Sequence, residues 1–281
     1  MTTNGRIILG PTRTQQFVYA SVHPNMASKP TSAALIIVDV QNDFLPPTGS
    51  LAVPNGREVL PVITGLLDRK WDWAVVVVSQ DYHPKGHISF ASAHPPNQAY
   101  TQLPLVNAHG ESYIQTLWPD HCIQGTAGAD LGPGLAKVLA KRGDVRVVRK
   151  GIHSKLEAYS AFQGVVLPTP FPPAPPPSTH GGPETEDVET VPPKTSELAE
   201  FLLAQGVNKV VIAGIATDFC VFQTALSSIS SSFPTLLLAP AMRAISPECE
   251  GKTFEAVESV GGIILGRNGE EWETKLEEWI K

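Results

Sequence analysis

Short blocks that are apolar throughout alternate along this chain with stretches whose apolar positions recur every three or four residues. The blocks lie at 34–38, 74–78, 145–148, 209–213, 235–239 and 262–265. They are rich in valine, isoleucine and leucine without polar alternation, which predicts strands covered on both faces. Helical spacing falls between most of them. Residues 56–69 carry Val59, Leu60, Ile63, Leu66 and Leu67 on one face, and a shorter helix is predicted at 134–141. A third begins at the cap candidate Ser196 and stops before Gly206, and 218–230, 250–260 and 270–281 complete the set. Strands alternating with helices imply right-handed βαβ units. The expected fold is α/β: a Rossmann-like, three-layer α/β/α domain around a mostly parallel sheet of about six strands.

The whole chain, 1–281, reads as one domain with two additions. Residues 1–30 are a polar N-terminal extension with a short apolar patch at 6–9 that could pair as a strand. Two connections, 79–132 and 151–195, are too long for ordinary βα loops, and such loops are usually functional or without fixed structure. The first is dense in histidine, aspartate and tryptophan. The second divides after Phe162 into an aromatic part and a proline-rich insert at 164–195. That insert holds 10 of the 26 prolines, together with Glu184, Glu186, Asp187 and Glu189, and predicts a flexible segment.

Composition narrows the function classes. A hydrophobic share of 42% supports a large core and excludes a wholly disordered chain. No apolar run approaches the ~20 residues needed to span a bilayer. A net charge of −6 argues against nucleic acid or an anionic membrane as main partner. A small-molecule substrate fits, and a homo-oligomer is compatible with it. Three cysteines make no disulfide framework and point to a reducing compartment. With no secretory or lipidation motif in view, the cytoplasm is expected, with entry to the nucleus left open.

In an open parallel sheet, ligands bind beyond the carboxyl ends of the strands. Unusual polar residues stand at those ends: Asp39 after the first predicted strand, Asp81 after the second, Lys150 after the third and Cys220 just past the fourth. Cys220 lies at a strand-to-helix junction, where unpaired amides and the helix dipole would lower a thiol's pKa. Taken alone it reads more readily as a small core thiol, the reading that Cys122 and Cys249 keep. Asp39 could cap a turn, but beside a thiol and a lysine it becomes a general acid/base. Lys150 would then hold the aspartate ionised and favour the thiolate.

The densest local signal is Asp81-Tyr82-His83-Pro84-Lys85-Gly86-His87, joined by His121 in Trp118-Pro119-Asp120-His121. Two or three imidazoles with one carboxylate suit zinc, iron(II) or manganese in a catalytic site with open positions. The alternative is a loop of hydrogen-bonding histidines. His94, His109, His153 and His180 have no comparable setting.

Six segments together resemble the nicotinamidases of the isochorismatase-like cysteine hydrolase superfamily. They are Ile37 to Phe44, Asp81 to Phe90, Trp118 to Cys122, Arg149-Lys150-Gly151, Tyr159 to Phe162 and Gly214 to Val221, in the family's order. The resemblance implies an Asp39–Lys150–Cys220 triad that hydrolyses nicotinamide to nicotinate and ammonia through a thioester, in NAD salvage. It implies a divalent metal, zinc first, on Asp81, His83 and His121, with His87 as a fourth contact. That metal would hold the pyridine nitrogen and waters. The amides of Ala216 and Cys220 would form the oxyanion hole, beside a cis peptide between Ile215 and Ala216, and Phe44, Trp118 and Tyr159 would wall the ring pocket. Two positions depart from the family pattern: Tyr82 stands where tryptophan is common, and Asp120 adds a charge beside His121 that bears on metal preference. Related cysteine amidohydrolases acting on carbamoyl groups, and a catalytically silent pyridine-binding module, are the competing readings.

Overall fold

In the computed structural model, which describes residues 32–68, 70–171 and 195–281, all six expected strands are present. They are β1 (Ala33–Val38), β2 (Val75–Asp81), β5 (Val145–Lys150), β7 (Lys209–Ile215), β8 (Thr235–Arg243) and β9 (Ile263–Leu265). A seventh, β6 (Val165–Pro170), runs antiparallel to β5 at one edge, so the sheet order is β6-β5-β2-β1-β7-β8-β9. The expected insert therefore begins with a strand. Pro168 and Pro170 hide it in the sequence, yet an edge strand tolerates residues that lack an N–H. The extension at 1–30, and the insert beyond Phe171, lie outside the described residues.

The strands alternate their side chains between two cores. On β1, Leu35 and Ile37 join one apolar cluster and Ala34, Ile36 and Val38 the other. The first cluster is closed by α1 (Val59–Leu66), α2 (Pro133–Leu139) and α6 (Glu273–Ile280). The second is closed by α3 (Glu197–Ala204), α4 (Phe222–Ser230) and α5 (Glu250–Ser259). Helices on both faces make the three layers, and they explain why the strands lack polar alternation. Among the described residues, no helix is long and apolar enough to cross a membrane.

Helix ends follow the local chemistry. The Ser196 hydroxyl accepts from the Ala199 amide at 3.2 Å and starts α3. Cys220 does not sit on a plain helix start. A five-residue turn, Thr217–Val221, with a π-type bond from Val221 N–H to the Ala216 carbonyl precedes α4.

The long first connection is not a bare loop. It contains a two-stranded antiparallel sheet, β3 (Gln102–Val106) and β4 (Ser112–Thr116), that pairs with no other strand among the described residues. The chain leaves β1 for β2 and β5 on one side and returns to β7 on the other. The carboxyl ends of β1 and β7 therefore form the switch point where such sheets open a crevice.

Candidate active site

Four strand ends converge at that crevice. Asp39 is the first residue past β1, fully buried, with φ +49°, a left-handed conformation uncommon for a non-glycine residue. Its Oδ1 accepts from the Ser79 hydroxyl at 2.6 Å. Lys150, the last residue of β5 and 1% exposed, is the hub. Its Nζ stands 2.9 Å from Asp39 Oδ2 as an ion pair outside hydrogen-bond alignment, donates to Asp81 Oδ1, and reaches Cys220 Sγ at 3.4 Å. Carboxylate oxygens of Asp39 and Asp81 and the Cys220 sulfur lie within 4.8 Å of one another. One ammonium thus serves two carboxylates and a thiol.

Burial sets the proton positions. It raises Asp39, which the Lys150 charge only partly offsets. It would also raise Asp81, but there Lys150 and His83 prevail and hold the carboxyl well below its usual range. Burial would lower Lys150; Asp39, Asp81 and Cys220 outweigh it and keep the ammonium. For Cys220, burial drives the thiol well above its ordinary value, with Lys150 opposing and both aspartates adding. The expected lowering of this thiol by a helix N-terminus is therefore not met, because desolvation dominates. Burial thus favours a neutral Cys220 thiol beside an Asp39 carboxyl whose hold on a proton it has strengthened.

Asp81 faces two ways. While Oδ1 binds Lys150, Oδ2 lies 3.7 Å from His83 Nε2 and 3.8 Å from His121 Nε2. The other nitrogen of each ring is taken by a backbone carbonyl: His83 Nδ1 by Gly151 at 2.9 Å, His121 Nδ1 by Pro119 at 2.7 Å. A carbonyl only accepts, so both Nδ1 atoms carry the hydrogen and both Nε2 atoms are left facing Asp81. Metal-binding histidines are oriented in this way, and one carboxylate with two imidazoles leaves coordination positions open. The donor set fits a divalent metal. Gly151 is required for it: φ is +63°, and a side chain there would run into the His83 ring.

His87 does not join the three. It stacks on His83 at 4.1 Å, with Nδ1 bonded to the Ser89 hydroxyl at 2.7 Å and Nε2 to the Leu156 carbonyl at 3.2 Å. Both ring nitrogens are engaged, and burial followed by the charge of His83 holds His87 neutral. Its nearest metal-type grouping is a second one, with His83 and Glu157.

Known proteins are similar to this chain. The Isochorismatase domain model matches residues 193–268. A nicotinamidase of Acinetobacter baylyi is 35% identical over 76% of this chain and 82% of its own length. One of Saccharomyces cerevisiae is 32% identical over 80% of this chain and 95% of its own. The chain belongs to the nicotinamidase family. Among solved structures, the yeast nicotinamidase bound to the inhibitor nicotinaldehyde superposes with a TM-score of 0.69 at 28% identity, covering 83% of this chain and 98% of that one. A pyrazinamidase of Pyrococcus horikoshii in complex with zinc gives 0.57 at 28%, with the same coverage.

Like its relatives, this nicotinamidase-family chain is a hydrolase of the isochorismatase type, and aromatic rings close its site. Phe44 lies 5.4 Å from the His121 ring. Trp118 and Tyr159 are joined by a hydrogen bond from the indole Nε1 to the phenol oxygen at 3.0 Å. Two members of this wall escape sequence reasoning. Phe219, next to Cys220, meets Trp118 edge-on at 4.8 Å and Tyr159 at 5.9 Å. Phe90 packs edge-on against His83 and His121. Gln115 of β4 also donates to the Tyr159 oxygen at 3.1 Å, so the small hairpin braces the wall.

The two departures are benign in geometry. Tyr82 holds the Arg149 guanidinium over its ring at 3.9 Å. The exposed Asp120 carboxylate accepts from the Ser92 hydroxyl at 2.6 Å. The peptide between Ile215 and Ala216 is cis.

Proposed function

We propose that this protein is a nicotinamidase: it hydrolyses nicotinamide to nicotinate and ammonia through a thioester on Cys220, a step of NAD salvage. The observation that carries the reading is the single buried Lys150 in reach of Asp39, Asp81 and Cys220 at the switch point of the sheet.

Asp39 takes the proton of Cys220 as the sulfur attacks the carboxamide carbon. Lys150, held as an ammonium within reach of both groups, offsets the negative charge that develops on the sulfur as its proton passes to Asp39. The backbone amides of Ala216 and Cys220 receive the oxyanion. The carbon–nitrogen bond breaks as Asp39 returns the proton to nitrogen, and ammonia leaves. Asp39 then takes a proton from water as that water attacks the thioester. Nicotinate departs and the thiol regains its hydrogen.

Asp81, His83 and His121 hold a divalent metal, zinc in the first instance and iron(II) or manganese otherwise. When bound, it supplies a Lewis-acid contact for the pyridine nitrogen. Phe44, Trp118, Tyr159 and Phe219 offer faces to the flat ring. Three free cysteines, one of them the nucleophile, suit a reducing compartment, and we assign the protein to the cytoplasm.

The test is ammonia release from nicotinamide by the purified full-length chain. Turnover should fall by ~10⁴-fold or more in Cys220→Ala, as when a catalytic nucleophile is removed elsewhere. Turnover of a carbamoyl amide with none of nicotinamide, or undiminished turnover without the thiol, would overturn the reading.

A further inference from the structure

The turn after Asp39 carries two polar side chains that the chemistry above leaves unused. Gln41 grips the peptide of Asp81 from both sides. Its Nε2 donates to the Asp81 carbonyl at 2.8 Å, and its Oε1 accepts from the Asp81 amide at 2.9 Å. Asp43 reaches further. Its Oδ2 accepts from the Cys122 amide at 2.7 Å, across 79 residues of sequence.

Cys122 is a junction. It follows His121, and its own carbonyl accepts from the His83 amide at 3.0 Å, while the Gln124 amide returns a bond to the His83 carbonyl at 2.9 Å. It also has φ +46°, a left-handed conformation that a residue with a side chain adopts only when its surroundings enforce it. The carboxylate of Asp43 is one such constraint. Its seat is cut to shape: a side chain at Gly128 would collide with that carboxylate.

We infer that Asp43 is the positioning residue of the metal-ligand set, fixing His121 and His83 relative to each other through the Cys122 peptide. The inference rests on the reading of Asp81, His83 and His121 as metal ligands. It gives the acidic residue of the turn a task separate from catalysis, since Asp43 touches neither the thiol nor its base. The charge matters because a carboxylate makes a stronger bond to an amide N–H than a neutral acceptor does.

Cobalt(II) titrated into the metal-stripped full-length protein, followed by its visible absorption, reads both affinity and ligand geometry. Asp43→Ala and Gly128→Ala should each bind about 10–100-fold more weakly than the parent, the usual loss when an outer-shell partner is removed, with altered bands. Asp43→Asn keeps the size and one acceptor oxygen, so it should bind more tightly than Asp43→Ala and keep the parent's band positions. Circular dichroism monitors folding, and if Asp43→Ala does not fold, the other two variants carry the comparison. A folded Asp43→Ala or Gly128→Ala that binds like the parent overturns the inference alone, as does an Asp43→Asn that loses the parent's bands. A parent that takes up no cobalt, or takes it up unchanged after His121→Ala, overturns the ligand reading and this inference with it.

Discussion

The two flanks of the sheet are built from the same kind of strand and treat charge in opposite ways. On the flank of β1, β2 and β5, the strand ends carry Asp39, Asp81 and Lys150, whose side chains are 0–5% exposed in their mutual ion pairs. On the flank of β8, β9 and α5, charges pair at the surface. Arg243 meets Glu58 at 2.7 Å with the glutamate 60% exposed, and Arg267 meets Glu258 at 3.4 Å and Glu255 at 3.6 Å. Surface pairs are worth about 0–1 kcal/mol. Buried ions lose several kcal/mol each in hydration, and their mutual attraction often fails to recover it. The apolar pattern that makes the strands therefore does not explain the buried cluster. Chemistry does.

The sharpest way to break this contrast is Lys150→Met, which keeps the length and removes the charge. Two buried carboxylates would then face a thiol with no cation between them. kcat/KM for nicotinamide should fall by about 10³-fold or more, and stability by about 3–5 kcal/mol, the usual cost of orphaning a buried charge. The sign with pH follows. Without the lysine, the folded-state pKa of Asp39, already raised, climbs further, and that of Asp81 rises above its unfolded value near ~3.9. The folded state then holds more protons than the unfolded one above that pH, so stability is lost as pH rises. Urea unfolding across a pH series checks it. Equal loss at every pH would mean that the deficit is packing alone.

Removal of the metal is the next largest effect. Exhaustive chelation should abolish turnover, and added zinc, iron(II) or manganese should restore it. The fold should survive, because Asp81, His83 and His121, the proposed ligands, are held by β2, by the Gly151 and Pro119 carbonyls and by the turn after β1 independently of any ion. Full activity of the chelated protein would separate Asp81 from metal chemistry and leave it as a partner of Lys150 only.

A smaller effect concerns Asp39 as base. Burial raises its pKa, and the Asp81 charge adds to this against Lys150. The base is active when ionised, so kcat/KM should climb with pH along an acid limb lying above ~3.9, the value of an ordinary aspartate. Replacing Ser79 with alanine removes the hydroxyl that favours the ionised form and should push the limb further upward. A limb that stays put would show that another group governs it.

The contrast between the flanks also marks what the sequence could reveal. Runs such as Leu35-Ile36-Ile37-Val38 and Val210-Val211-Ile212-Ala213 announce strands because both faces are covered, and a charged or thiol side chain at the end of a strand or in the turn just beyond it is then conspicuous. Asp39, Asp81, Lys150 and Cys220 are legible for that reason. The hairpin β3–β4 is harder. β3 alternates exposed and half-buried positions and β4 does so as far as the buried Gln115, but Pro104 interrupts the strand pattern. Alternation in Gln102-Leu103-Pro104-Leu105 was the available signal. Phe219, Phe90 and Gln115 are invisible for a different reason. Each acts through a ring or hydroxyl brought to it by distant chain, and no spacing in the sequence encodes that meeting.

The far flank supplies the smallest expected effect and the control that the contrast needs. Arg267 is about one-third exposed, lies over the Phe254 ring at 5.7 Å and reaches two glutamates of α5. Arg267→Ala removes all of these at once. Each pair is solvent-screened and holds long side chains at an entropic cost, so the total loss should stay within about 1 kcal/mol, and less in high salt. kcat/KM should not change, since Arg267 meets α5 and, among the described residues, makes no direct contact with the Lys150 cluster. Thermal unfolding at low and high salt, beside ammonia release, reads both quantities. A drop in turnover with little loss of stability would mean that α5, which touches the nucleophile turn through the Glu250–Thr217 bond at 3.2 Å, transmits to Cys220. The line between a chemical and a merely structural flank would then run through α5 rather than beside it.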